Sequence, residues 1–163
     1  MLWSKTSAYA LQALLYIAAQ PEDVYVRACD MEACLRDVPF PYLAKILRGL
    51  AADGLLLSQK GKGGGFLLAP SARNGGILEI IRCLDGAGYG EGCVLGLAKC
   101  ADDSACPVHH EWTPIKKRLV DFLGSQTLGE IARQIRGNRP DLAAVQKLSA
   151  AVEAQPPAGG RSS

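Results

Sequence analysis

The sequence predicts a mainly α-helical fold with one small β-hairpin, and three observations predict it. Apolar residues recur at helical spacing in successive stretches of the first third of the chain. Two short apolar runs then flank Lys60-Gly-Lys-Gly-Gly-Gly65, the pattern of a hairpin around a glycine-rich turn. In the last third, Val108, Trp112, Ile115, Leu119 and Phe122 alternate four and three apart, which makes a seam able to pack against another helix.

The elements follow in order. Thr6 to Gln20 is the first expected helix: Ala8, Leu11, Leu15 and Ala18 recur on one side, Thr6 or Ser7 is placed to cap the start, and Pro21 ends it. Arg27 to Leu35 is a short second helix. Pro39-Phe-Pro-Tyr opens a third, with Pro41 in the first turn, where a missing N–H costs nothing. Leu43, Ile46, Leu47 and Leu50 form its core stripe, and Gly54 closes it. The hairpin runs from Leu55 to Leu68. Ile77 to Leu84 is a fourth helix. Gly86 to Cys106 has no sustained period and is expected as a loop of functional length. A longer helix is expected from about Glu111, with Pro114 in its first turn or at a kink. Thr127 with Glu130 is a capping box that starts another helix. Leu142 to Val152 is weakly helical, and the final Gln-Pro-Pro-Ala-Gly-Gly-Arg-Ser-Ser is expected to be disordered.

These elements divide into a domain over 1–85, a cysteine-bearing loop over 86–110, a long helix and a short capping helix over 111–136, and a tail over 137–163. Three helices followed by a glycine-rich hairpin is the order of a winged helix-turn-helix, here with a long C-terminal helix suited to dimerisation.

Composition narrows the function classes. Eighteen Lys and Arg against sixteen Asp and Glu leave a formal charge of +2, so any nucleic-acid surface is a local patch. No apolar run approaches the roughly 18 residues that span a bilayer. The N-terminus lacks a basic region followed by a long apolar stretch, so a cytoplasmic protein is expected, with no membrane partner.

What faces outward decides between a plain helical domain and a nucleic-acid reader. On the third helix the core stripe leaves Tyr42, Lys45, Arg48 and Gly49 on the opposite side, with Pro41 and Tyr42 near the end that meets base edges. The hairpin tip carries Lys60 and Lys62, and Gly63 beside them lets the backbone approach a phosphate or a groove. Ser4 and Lys5 head the first helix, placed for phosphate contact. Singly, each is an ordinary solvated face or turn; together they make double-stranded DNA the expected partner. A nucleotide-hydrolase phosphate loop is excluded, because Lys62 is followed by Gly63 and not by Ser or Thr.

Six cysteines are present. Cys29, Cys34 and Cys83 lie among helix formers and are expected to behave as small hydrophobes. Cys93, Cys100 and Cys106 crowd into one glycine-rich stretch, and His109 follows Cys106 by three, with His110 as a local competitor. Three thiolates and an imidazole form a complete ligand set for one metal centre. No tight Cys-x-x-Cys knuckle of a structural zinc site is present, and the looser spacing suits a cluster, but zinc and inert cysteines remain open on spacing alone. An iron–sulfur electron carrier is a further alternative, although a carrier has no need of a reading helix and a basic hairpin.

Several motifs together resemble the Rrf2 family of bacterial winged-helix regulators. They are Ser4-Lys5 through Tyr9-Ala10, Pro41-Tyr-Leu43, Leu50 through Gly54-Leu55, Gly61-Lys-Gly-Gly-Gly-Phe-Leu-Leu68, the three-cysteine segment, and Phe122-Leu through Thr127-Leu-Gly-Glu130. The resemblance runs from Met1 to about Ile135. It implies a transcription regulator and not an enzyme, with no small-molecule substrate. It further implies a homodimer, built on the seam of Trp112, Ile115, Leu119 and Phe122, that binds a palindromic operator. At the cysteines the likeness is to the IscR branch, which implies a [2Fe-2S] cluster on Cys93, Cys100, Cys106 and His109, sensing redox state, iron–sulfur status or nitric oxide. In the NsrR branch a carboxylate of the first helix is the fourth ligand; Ala8 stands at that place here and cannot bind a metal. The first cysteine spacing is one residue longer than in the IscR branch. Ala44 stands where that branch has an operator-discriminating glutamate, so no target preference is implied.

Overall fold

The computed structural model describes residues 3–32, 35, 38–97 and 106–138. Cys34, Cys100, the expected helix Leu142 to Val152 and the tail from residue 139 on lie outside the described residues.

Helix α1 (Lys5–Ala18) starts one residue earlier than Thr6 because Ser4 is its cap: the Ser4 hydroxyl accepts the Ser7 amide at 3.1 Å. Ser7 is fully buried, and its hydroxyl is directed elsewhere. The buried face is broader than the stripe through Ala8 and Leu15, which are only half-buried; Ala10, Ala13, Leu14 and Ile17 are its centre. The reason is tertiary, since α1 is covered by several elements at once. Helix α2 (Ala28–Glu32) is shorter than expected.

Helix α3 (Phe40–Ala52) buries Leu43, Ile46, Leu47 and Leu50, the four residues its periodicity selects. Its end is closed by Gly54 N–H to Ala51 O at 3.2 Å and Leu55 N–H to Leu50 O at 2.9 Å, the paired bonds of a Schellman cap. Strands β1 (Leu56–Gln59) and β2 (Gly65–Leu68) pair antiparallel, with Leu56 opposite Leu68 and Ser58 opposite Phe66. Val26, ahead of α2, adds a third rung through reciprocal bonds to Phe66 of 2.9 and 2.8 Å. That close approach requires glycine at 65: φ is +152°, and a Cβ there would lie 2.5 Å from the Val26 carbonyl oxygen.

Helix α4 (Pro70–Asn74) has no counterpart in the sequence reading, because five residues are too few to show a period. Helix α5 (Ile77–Asp85) buries Ile77, Leu78, Ile80 and Ile81. Cys83 falls on its outer side, and Cys29 sits exposed at the start of α2, so the expectation that these two are core hydrophobes is corrected. Helix α6 (His109–Ser125) begins two residues before Glu111, which moves Pro114 beyond the first turn. Pro114 has no N–H to offer the carbonyl one turn back. The early start is fixed by the turn His109 N–H to Cys106 O, 3.1 Å, and by Trp112 N–H to Val108 O, 2.9 Å. Helix α7 (Leu128–Asn138) opens on the expected box: Thr127 donates to the Glu130 carboxylate at 2.9 Å, and the Glu130 amide donates back to the Thr127 hydroxyl at 3.2 Å. It packs against α1 and α4 and adds Leu128 and Ala132 to the core. Among the described residues no helix is long and apolar enough to cross a membrane.

Candidate functional site

The basic residues that the sequence singles out all lie at the surface. Lys5 lies on the first turn of α1, Lys45 and Arg48 on the outer side of α3, and Lys60 and Lys62 at the hairpin tip; all five are exposed. Among the described residues none of the five takes part in an ion pair, and the two ion pairs present use Arg27 and Arg73 instead. A groove of about 450 Å³ runs between α3 and the hairpin, with Arg48 and Ala52 on one wall and Ser58, Lys60 and Phe66 on the other. Gly49 is exposed on the same side of α3, with open space where its Cβ would be. Cations without partners around a groove favour a polyanion.

The starts of α1 and α3 are tied together. The Thr6 hydroxyl and the Tyr42 hydroxyl lie 2.7 Å apart, and the Tyr9 and Tyr42 rings meet edge to face with centroids at 6.3 Å. Ser4 is partly committed to this frame, since its hydroxyl caps α1 and its amide donates to Asp85 at 2.9 Å. Ser7 donates to the other Asp85 oxygen at 2.7 Å. Burial pushes the Asp85 carboxyl up, but the hydrogen bonds from Ser4 and Ser7 outweigh it and hold the carboxyl below the ordinary carboxylate range. Neither Thr6, Ser7 nor Asp85 stood out in the sequence as functional.

The cysteine loop leaves α5 at Gly86 and is held by side chains. Arg82 Nε donates to Tyr89 O at 3.3 Å, Trp112 Nε1 to Gly92 O at 3.2 Å, and Lys116 Nζ to Glu91 O at 3.3 Å. Cys93 and Cys106 are both half-buried. His109 is only 5% exposed, whereas His110 is exposed. The His109 Nε2 lies 3.3 Å from the Thr113 hydroxyl, which also donates to the His109 carbonyl at 2.9 Å. Among the described residues no three His, Cys, Asp or Glu come together as a metal-holding group, and Cys100 lies outside them. The donor set still fits an iron–sulfur centre chemically: two thiols bracket the segment, and a buried imidazole oriented by a hydroxyl sits one turn from Cys106.

The seam of α6 divides. Ile115 and Phe122 are 57% and 59% exposed, Leu119 is half-buried against the core, and Trp112 is half-buried while bonded to the loop. Val94, Leu95 and Leu97 of the loop are also exposed.

Both the sequence and the arrangement of these elements are matched by known proteins. Residues 3–134 match the family model of Rrf2, described as an iron-dependent transcriptional regulator. The chain belongs to the Rrf2 family. An Aquifex aeolicus (strain VF5) protein bearing the name of an HTH-type transcriptional regulator is 35% identical over 133 residues, 80% of this chain and 91% of that one. The HTH-type transcriptional regulator IscR of Klebsiella pneumoniae (strain 342) is 31% identical over 123 residues, covering 76% and 74% of the two chains. In fold, this Rrf2 chain is similar to T. potens IscR, with a TM-score of 0.64 at 23% identity over 83% of this chain and 89% of that one. It is equally similar to CymR, the global cysteine regulator of B. subtilis, with a TM-score of 0.64 at 21% identity over 80% and 95%. The Rrf2 chain is therefore a DNA-binding transcription regulator of helix-turn-helix type and not an enzyme.

Proposed function

We propose that this Rrf2 regulator binds a palindromic operator as a homodimer, and that a [2Fe-2S] cluster on Cys93, Cys100, Cys106 and His109 sets its affinity. The observation that carries the cluster reading is the pairing of Cys106 with a buried His109 at the start of α6, beside a loop that α6 itself holds through Trp112 and Lys116. A change in the ligands is thus felt directly by the helix that presents Ile115 and Phe122. When bound, a cluster supplies reversible one-electron chemistry and a site that oxidants, iron loss or nitric oxide disrupt. The protein residues do the rest. Thr113 orients the imidazole, and the loop contacts fix the thiols' neighbourhood. Lys45, Arg48, Lys60 and Lys62, with Pro41, Tyr42, Gly63, Ser4 and Lys5 around them, form the DNA face. The division 1–85, 86–110, 111–136 and 137–163 then separates reading, sensing, dimerising and tail segments, and the protein works in the cytoplasm.

The test is anaerobic purification followed by iron, sulfide and zinc analysis and a visible spectrum. A cluster protein is coloured and holds iron and sulfide; a colourless protein holding zinc is a structural-zinc regulator and overturns the reading. His109→Ala is expected to alter the spectrum, and His110→Ala to leave it unchanged.

A further inference from the structure

Asp85 occupies the joint between two parts of the molecule that the chain separates widely. It is the last residue of α5, and the loop to Cys93 begins at the next residue, Gly86. Its two carboxylate oxygens are taken by the start of α1: Oδ2 by the Ser4 amide at 2.9 Å and Oδ1 by the Ser7 hydroxyl at 2.7 Å. Between those two donors stands Thr6, whose hydroxyl meets the Tyr42 hydroxyl on the DNA-reading helix at 2.7 Å. The backbone of the first turn of α1 therefore joins two sets of polar contacts, those of Ser4 and Ser7 with Asp85 and that of Thr6 with Tyr42 on α3.

A second observation concerns the other side of Asp85. Tyr89 lies one tight turn into the loop, its amide bonded to Gly86 O at 3.0 Å and its ring packed on the core. The Tyr89 hydroxyl is buried, and among the described residues it has no hydrogen-bond partner. A buried orphan hydroxyl is unfavourable and gains from any acceptor that comes within reach. Burial first, and the charge of Asp85 second, push the Tyr89 phenol up. Next to it, Gly90 fits so closely to Val120 of α6 that a Cβ there would lie 2.7 Å from Val120 Cγ2. A shift of α6 or of the loop thus displaces Tyr89.

We propose that Asp85 is a positioning residue for DNA recognition: it clamps the start of α1 in one loop arrangement and is drawn to the Tyr89 hydroxyl in another, carrying the state of the cysteine loop to Tyr42. The inference rests on the proposed function for its input and on the Ser4–Asp85–Ser7 and Thr6–Tyr42 contacts for its output. In the clamped state seen here the first turns of α1 and α3 are held. In the other state they are released, and the reading helix loses its fixed entry angle. Both states are formed by exchanging hydrogen bonds, with no covalent step.

The experiment has two arms on the full-length chain. In the first, amide hydrogen exchange is measured on cluster-free protein at Ser7, Tyr42 and Leu43, whose amides bond within these first turns. Asp85→Asn is expected to speed all three on the order of tenfold. Tyr89→Phe is expected to leave them as slow as wild type and to melt no lower. In the second arm, affinity is measured for a duplex selected by the wild-type protein from a random pool, with and without reconstituted iron and sulfide. Asp85→Asn and Tyr89→Phe are both expected to bring the ratio of the two affinities to about one, while still taking up iron and sulfide. Ser7→Ala, which removes one donor and keeps the carboxylate, is expected to fall between wild type and Asp85→Asn. Wild-type exchange at Tyr42 and Leu43 in Asp85→Asn overturns the assignment. So does a wild-type affinity ratio in both variants. If the wild-type protein takes up no iron or sulfide, it is the functional reading that fails, and the exchange arm alone decides the role of Asp85.

Discussion

The hydroxyls of Thr6 and Tyr42 lie 2.7 Å apart and fasten the start of α1 to the start of α3. Tyr42→Phe removes this bond and keeps the edge contact with Tyr9. A single neutral hydrogen bond is worth about 0.5–1.5 kcal/mol, so a correspondingly small loss of stability by chemical denaturation is expected. Operator affinity is expected to fall more than stability, because Tyr42 belongs to the proposed DNA face; equal affinity for Tyr42→Phe and wild type in a titration would remove it from that face.

Lys62 sits exposed among the glycines of the hairpin tip. Lys62→Ala is expected to weaken binding to all duplexes alike and to flatten the slope of log affinity against log salt by about 0.9. An unchanged slope places the hairpin off the DNA.

Gly49 has open space around its missing Cβ and is exposed beside Arg48 on α3. Gly49→Ala is expected to stabilise the helix by about 0.5–1 kcal/mol, since glycine is a poor helix former. The same methyl is expected to reduce operator affinity by intruding where DNA approaches. Thermal melts and a binding titration on one preparation check both signs, and a variant that gains stability without losing affinity puts Gly49 outside the interface.

These expectations separate what was legible in the sequence from what was not. The reading face was legible because a 3.6-residue period places Leu43, Ile46, Leu47 and Leu50 inside and so leaves Lys45 and Arg48 outside. The hairpin was legible from its glycines. The clamp was not: Asp85 and Ser7 are 78 residues apart, and no local pattern pairs them. Cys29 and Cys83 misled because composition says that cysteine is often buried, while the actual face of a short helix is set by its neighbours. The start of α6 moved to His109 because a turn at Cys106, invisible as a period, nucleates it. At the candidate metal centre the sequence offered residue types and two adjacent histidines; the burial that separates His109 from the exposed His110 comes from the fold.

Ile115 and Phe122 are more than half exposed on α6. Phe122→Glu is expected to yield a monomer in sedimentation at micromolar concentration, with a melting behaviour of the DNA-reading domain little changed, and to lose operator binding with it. A Phe122→Glu protein that still sediments as a dimer assigns the interface elsewhere.

The most direct measurement is operator affinity of the anaerobically purified wild-type protein before and after removal of its iron and sulfide, alongside Cys106→Ala. If the cluster governs DNA binding, loss of iron and sulfide shifts the affinity by tenfold or more, on the order of 1.4 kcal/mol or greater, and Cys106→Ala binds as the stripped protein does under both treatments. One unchanged affinity across all of these preparations contradicts cluster control and leaves a regulator whose cysteine loop serves another purpose.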